Sequence, residues 1–182
     1  MFAFSCIFVH MKVYLIGYMA SGNTRTGRKL ARMLDYSFSD TDDLFESKFR
    51  ISIHDFFDKY GEDLFRQLEQ KVLLETTTLD NTVISTGGGT PCFFDNMGFI
   101  MKSGISVYLK LSSSALASRL KVVRKKRPLL KGMTASQVGE FVDRQLKERE
   151  EYYSKADIVV EGNCPDIADL ARRIRELSVT SH

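Results

Sequence analysis

The chain has 182 residues, 43% hydrophobic and 27% charged, which fits one soluble α/β domain with a real core. Its net charge of +3, from 26 basic and 23 acidic residues, is too small to argue for a nucleic-acid partner. The cysteines Cys6, Cys92 and Cys164 are odd in number and far apart; they show no disulfide or metal spacing, which points to a reducing compartment.

Met1 to Val9 form a short apolar stretch. It lacks the basic segment of a signal peptide and is far too short to span a bilayer. Residues 1–10 therefore read as an upstream extension or a misplaced start codon, the alternative being a membrane or partner anchor. Val13-Tyr14-Leu15-Ile16 reads as a buried strand, and Arg25 to Leu34 as a helix with Leu30, Ala31 and Leu34 on one face. Between them lies Gly17-Tyr18-Met19-Ala20-Ser21-Gly22-Asn23-Thr24. Gly17 and Gly22 have the spacing of the glycines in G-x-x-x-x-G-K-[ST], and strand, Gly-rich turn, helix is the context that gives this pattern meaning. Backbone N–H groups of such a loop wrap a phosphate, with the positive end of the helix aimed at the same point. Thr24 stands where a hydroxyl would hold Mg²⁺, and Asn23 stands in the place of the lysine. A Gly-rich βα turn without a ligand would have the same local features.

Tyr36 to Ser39 reads as a second strand ending in Asp40-Thr41-Asp42-Asp43. On an extended backbone Asp40 and Asp42 would face one cleft, one supporting a Mg²⁺ shell and the other accepting a hydroxyl proton. Helix capping ahead of Leu44-Phe45 explains the same acids. Two helices follow, about Ser52 to Tyr60 and Glu62 to Leu79. In the second, Arg66 and Glu69 share a face, as a surface pair or as a carboxylate-binding arginine held by its neighbour.

Thr82 to Thr86 is a third buried strand running into Gly87-Gly88-Gly89-Thr90-Pro91. Three glycines there imply that a ligand or another backbone comes very close. Ser106 to Leu111 is a fourth strand, followed by a helix carrying Leu116 and Leu120. Between Lys121 and Lys131 six of eleven residues are basic. This loop, with Arg127-Pro128, would close over anionic phosphates, unless it is a solvated charge run or a nucleic-acid patch; no interleaved aromatic residue supports base stacking. A helix of about Thr134 to Tyr153, a strand Ile158 to Val160 and a helix from Pro165-Asp166 through Leu177 complete the order. The pattern predicts a three-layer αβα sandwich with a five-stranded parallel sheet. Its unusual glycines and acids fall after strands, where ligands of such folds bind.

Ile16-Gly17-Tyr18-Met19-Ala20-Ser21-Gly22, Gly27-Arg28-Lys29-Leu30-Ala31, Asp40-Thr41-Asp42, Phe65-Arg66 with Glu69, Thr86-Gly87-Gly88-Gly89, Arg127-Pro128-Leu129, and Arg149 with Tyr153 together resemble shikimate kinase, a P-loop kinase of the nucleoside-monophosphate-kinase type. The resemblance runs from about Met11 to Leu177. It implies a P-loop NTPase-type single domain over 11–178, with a mobile lid at about 121–133 and a tail at 179–182. It implies ATP and Mg²⁺ as cofactors and a monomeric, cytoplasmic enzyme of aromatic amino acid biosynthesis. The reaction implied is transfer of the γ-phosphoryl group of ATP to the 3-hydroxyl of shikimate, with no nucleic-acid or membrane partner.

By the same resemblance, Gly17, Ala20, Ser21, Gly22, Asn23, Thr24, Arg25, Arg119 and Arg127 line the nucleotide. Thr24 and Asp40 serve the metal. Asp42 orients or deprotonates the attacking hydroxyl and Arg127 reaches the phosphates, the two catalytic assignments. Asp42, Arg66, Gly87, Gly88, Gly89 and Arg149 hold the substrate, with both arginines on its carboxylate and Gly88 letting a ring hydroxyl approach. Two positions depart from the family pattern: Asn23 replaces the loop lysine, and Glu151 stands where the family carries proline. Arg25 and Lys29 are near the first gap in sequence, but as helix residues they are expected to point elsewhere. The alternatives are a catalytically impaired homologue that binds or regulates, and a P-loop kinase for another small hydroxylated acid.

Overall fold

The computed structural model describes residues 11–123 and 132–180. The 1–10 extension and most of the expected lid, Arg127 included, lie outside the described residues. Five strands, β1 (Lys12–Ile16), β2 (Ser37–Asp40), β3 (Thr82–Ser85), β4 (Ile105–Lys110) and β5 (Ile158–Glu161), form one sheet in the order β2-β3-β1-β4-β5. Each neighbouring pair is parallel.

The strands read as continuous apolar runs because helices cover both faces of the sheet. Their two-residue alternation then sorts the side chains into two cores. Tyr14, Ile16, Ile84 and Tyr108 pack against α3 (Ile53–Glu75), α4 (Asn96–Ser103), α5 (Ser113–Val123) and α6 (Ala135–Tyr153). Val13, Leu15, Val83, Val107 and Leu109 pack against α1 (Asn23–Leu34) and α7 (Ile167–Thr180).

A third cluster stands apart from the sheet. Phe45 of α2 (Thr41–Phe49) meets Phe56 and Phe65 of α3, with ring centroids 5.2 and 4.9 Å away. This aromatic wedge fixes the second half of α3, where Arg66 sits.

The two helices expected between residues 52 and 79 are one element bent at Gly61, whose φ of 79° and ψ of 173° only glycine adopts without strain. Its end falls at Glu75, four residues short of the expected Leu79. Thr76, Thr77 and Thr78 each donate their hydroxyl to the carbonyl three residues back, at 2.6 to 2.9 Å, and the last turn tightens into a 3₁₀ turn.

Candidate active site

The phosphate-loop pattern adopts the geometry its glycines allow. Gly17 (φ 154°), Ala20 (φ 67°) and Gly22 (φ 101°) turn the chain between β1 and α1. A Cβ on Gly17 would stand 2.9 Å from the Leu109 carbonyl oxygen and 3.1 Å from Ser21 Oγ, so only glycine fits. No side chain caps the start of α1, which leaves its first N–H groups to the loop.

Thr24 Oγ1 donates to Asp40 Oδ2 at 2.8 Å, and Asp40 Oδ1 accepts from the Asp42 backbone N–H at 3.0 Å. The extended alternation expected of Asp40 and Asp42 is not what forms. The chain turns into α2 at Thr41, and Asp40 is the N-cap of that helix. One carboxylate thus both caps α2 and accepts from Thr24. Asp42, displaced into the first turn, lines a cleft together with Arg66 and Arg149. The Thr24 hydroxyl and the Asp40 carboxylate are hard oxygen donors side by side, which fits Mg²⁺, an ion that takes one or two protein oxygens and completes its shell with water and phosphate.

Asn23 is 8% exposed. Its Oδ1 accepts from Ser21 Oγ at 2.8 Å, and its Nδ2 donates to the Thr86 carbonyl at 3.4 Å. The amide thus ties the loop to the end of β3 and brings no charge to it. On the outer flank, Arg119 Nη1 donates to the carbonyls of Ala20 and Ser21, both at 2.9 Å, and Nη2 lies 3.4 Å from Asn163. Arg25 and Lys29, expected to point elsewhere, line this same flank with Ser21 and Gly22. One turn of α1 apart, they share a face, and that face borders the loop. No carboxylate is among the lining residues of this cleft.

The second cleft, on the other side of the loop, has Arg66 at its centre. Arg66 is 6% exposed. Its Nε and Nη2 donate to Glu62 Oε1 at 3.0 and 2.8 Å, and its Nη1 donates to Glu69 Oε2 at 2.8 Å. The guanidinium carbon lies 4.1 Å from the Phe93 ring centroid. Glu69 Oε1 in turn accepts from Thr90 Oγ1 at 2.6 Å. Sequence reasoning found Glu69 but missed Glu62, although its spacing of four from Arg66 was a readable signal.

Arg149, on α6, is equally buried. Its Nη2 donates to Gln145 Oε1 at 2.5 Å, and its guanidinium carbon lies 5.3 Å from the Tyr18 ring centroid. Tyr153 Oη donates to the Gly88 carbonyl at 2.5 Å. Burial pushes the Tyr18 phenol up to about 12 against the opposing pull of Arg149, and burial raises Tyr153 as well. Both phenols are neutral at physiological pH. Burial also pushes the Cys92 thiol, beside this group, up to about 11.

The glycine run fills a specific role here. A Cβ on Gly87 would stand 2.9 Å from Asp42 Oδ1, one on Gly88 2.7 Å from the Met19 backbone nitrogen, and one on Gly89 2.6 Å from Arg66 Nη1. The close approach predicted from the sequence is thus made by the phosphate loop and by two site side chains. Gly87, Gly88, Gly89, Asp42, Arg66 and Arg149 line one cleft. Arg127 lies outside the described residues.

The sequence pattern of the shikimate kinase family matches residues 19–177. The chain belongs to the shikimate kinase family. It is 41% identical over 147 residues to a shikimate kinase of Parabacteroides distasonis, covering 81% of this chain and 85% of that one. It resembles the crystal structure of shikimate kinase from Bacteroides thetaiotaomicron with a TM-score of 0.83 and 34% identity, over 92% of this chain and 97% of that one. A shikimate kinase from Acinetobacter baumannii in complex with shikimate superposes with a TM-score of 0.82 and 34% identity, covering 96% of both chains. As in other shikimate kinases, the fold is a parallel α/β sheet flanked by helices. Among the described residues no helix is long and apolar enough to cross a membrane.

Proposed function

We propose that this chain is a shikimate kinase that transfers the γ-phosphoryl group of ATP to the 3-hydroxyl of shikimate. The observation that carries the reading is one cleft in which two buried arginines from different helices, Arg66 and Arg149, join Asp42 around a glycine floor packed on the phosphate loop. Two arginines suit a single carboxylate through charge-assisted hydrogen bonds. Asp42 is the carboxylate placed to orient the attacking hydroxyl and take its proton. MgATP, when bound, supplies the phosphoryl group, with the metal neutralising charge on the phosphate oxygens. Thr24 and Asp40 hold the metal side, and the loop N–H groups with Arg119 fix the nucleotide flank. The dispersed cysteines support a cytoplasmic setting.

One observation favours a second reading, a homologue that binds but turns over poorly. The residue in the lysine position, Asn23, is uncharged and engaged with Ser21 and Thr86. A coupled assay of ADP release with ATP, Mg²⁺ and shikimate, alongside calorimetry with shikimate, separates the two. Shikimate-dependent ADP release establishes the kinase. Shikimate binding without ADP release establishes the binding homologue, and absence of both removes the substrate assignment.

A further inference from the structure

We infer that Arg25 supplies, from the flank of the phosphate loop, the positive charge for the nucleotide's phosphates that Asn23 does not bring. The inference rests on the reading that this cleft takes a nucleoside di- or triphosphate. It goes beyond that reading by naming the group on which nucleotide affinity depends in this chain.

Among the described residues, which do not include Arg127, the other arginines near the loop are engaged elsewhere. Arg66 is held by Glu62 and Glu69, and Arg149 faces the substrate cleft. Arg28 pairs with Asp43 and stacks on Phe38, 4.7 Å from its centroid. Arg119 spends its Nη1 on two loop carbonyls and its Nη2 on Asn163. Lys29 lies on the right face but one turn farther along α1, about 6 Å along its axis.

Arg25 remains. It is exposed, lines the cleft beside Ser21 and Gly22, and has no hydrogen bond or ion pair among the described residues. Side chains on a helix lean toward its N-terminus, here the end that joins the loop. Its position also breaks a local rule. The first turn of a helix favours acids and disfavours cations. Helices α2, α3 and α7 carry acids in their first turns and α4, α5 and α6 carry neither an acid nor a lysine or arginine there, whereas α1 carries Arg25. A cation at the positive end of a helix, in a cleft without a lining carboxylate, is an arrangement that a polyanion between the two relieves. Such violations belong at functional sites.

A double-mutant cycle read by calorimetric titration of ADP with Mg²⁺ tests this, with Arg25→Gln and Asn23→Lys alone and together. Arg25→Gln is expected to weaken ADP roughly tenfold or more in the native background, the loss of one charge-assisted contact. With Asn23→Lys present, the same change is expected to cost less than about threefold, because a lysine already serves the phosphates. Arg25→Lys should keep most of the affinity, and shikimate affinity should be the same in every variant, which verifies that each is folded. Equal losses in the two backgrounds, or no loss at all, would overturn the proposal while leaving the nucleotide reading intact. A native protein that binds shikimate but no ADP would overturn both.

Discussion

The two clefts on either side of the phosphate loop manage charge in opposite ways. In the cleft proposed for the substrate the guanidinium of Arg66 is buried, stacked and bonded to Glu62 and Glu69. In the cleft proposed for the nucleotide Arg25 and Lys29 are exposed, with no acid among the described lining residues. The first arrangement fixes geometry: a planar guanidinium clamped on two carboxylates presents its remaining N–H groups in one orientation. The second leaves a cationic flank that gains most from a ligand carrying several charges. A small, rigid, singly charged acid and a long, flexible polyphosphate call for these two solutions.

The largest expected effect strikes the nucleotide side. In an Arg25→Gln background, Asn23→Lys should raise kcat by roughly two to three orders of magnitude, the usual value of one preorganised transition-state donor, and by much less in the native background, where the charge proposed for Arg25 is present. The shikimate KM should change little, since Asn23 is not among the described residues that line the cleft of Arg66 and Arg149. Equal gains in the two backgrounds would mean that Arg25 brings no charge to the loop, and the contrast between the clefts would lose its cationic flank.

Arg66→Ala strikes the other side. It should weaken shikimate by roughly 1.5–3 kcal/mol, measured by calorimetry. It should also lower the melting temperature, because Glu69, 4% exposed, loses its counter-charge. Similar shikimate affinities for native and variant protein would remove Arg66 from the site.

Salt sharpens the comparison with a smaller effect. Raising ionic strength should weaken ADP severalfold, because exposed cations are screened. Shikimate affinity, resting on buried arginines, should fall much less. Equal sensitivity would show that the nucleotide cleft is as well shielded as its neighbour.

The smallest effect concerns Cys92. With its thiol pushed up to about 11, it carries roughly a thousandfold less thiolate than thiol at pH 8, so alkylation followed by mass spectrometry should find it slow beside the exposed Cys164. The sign for stability follows from the raised value. The contribution of the buried thiol is complete below the ordinary thiol range near 9 and is lost as pH rises through about 11. Rapid labelling of Cys92 at pH 8 would place it in a wetter cleft than this one.

What the sequence determined by itself was local and periodic. Apolar runs such as Val13 to Ile16 and Thr82 to Ser85 specify strands, Gly17 and Gly22 specify the loop, and the order of strands and helices specifies a parallel sheet. Family resemblance grouped Asp42, Arg66, Gly88 and Arg149 as substrate residues, and these four line one cleft. Only the tertiary structure decided what each side chain meets. Asp40 both caps α2 and accepts from Thr24; Glu62 joins Glu69 on Arg66; the glycine run is required by Asp42, Met19 and Arg66 rather than by a ligand alone; and Arg25 borders the loop instead of pointing away. These contacts join residues that are distant in sequence or depend on the direction a helix takes from its first turn. One-dimensional spacing carries no information about that direction, because packing against the sheet sets it.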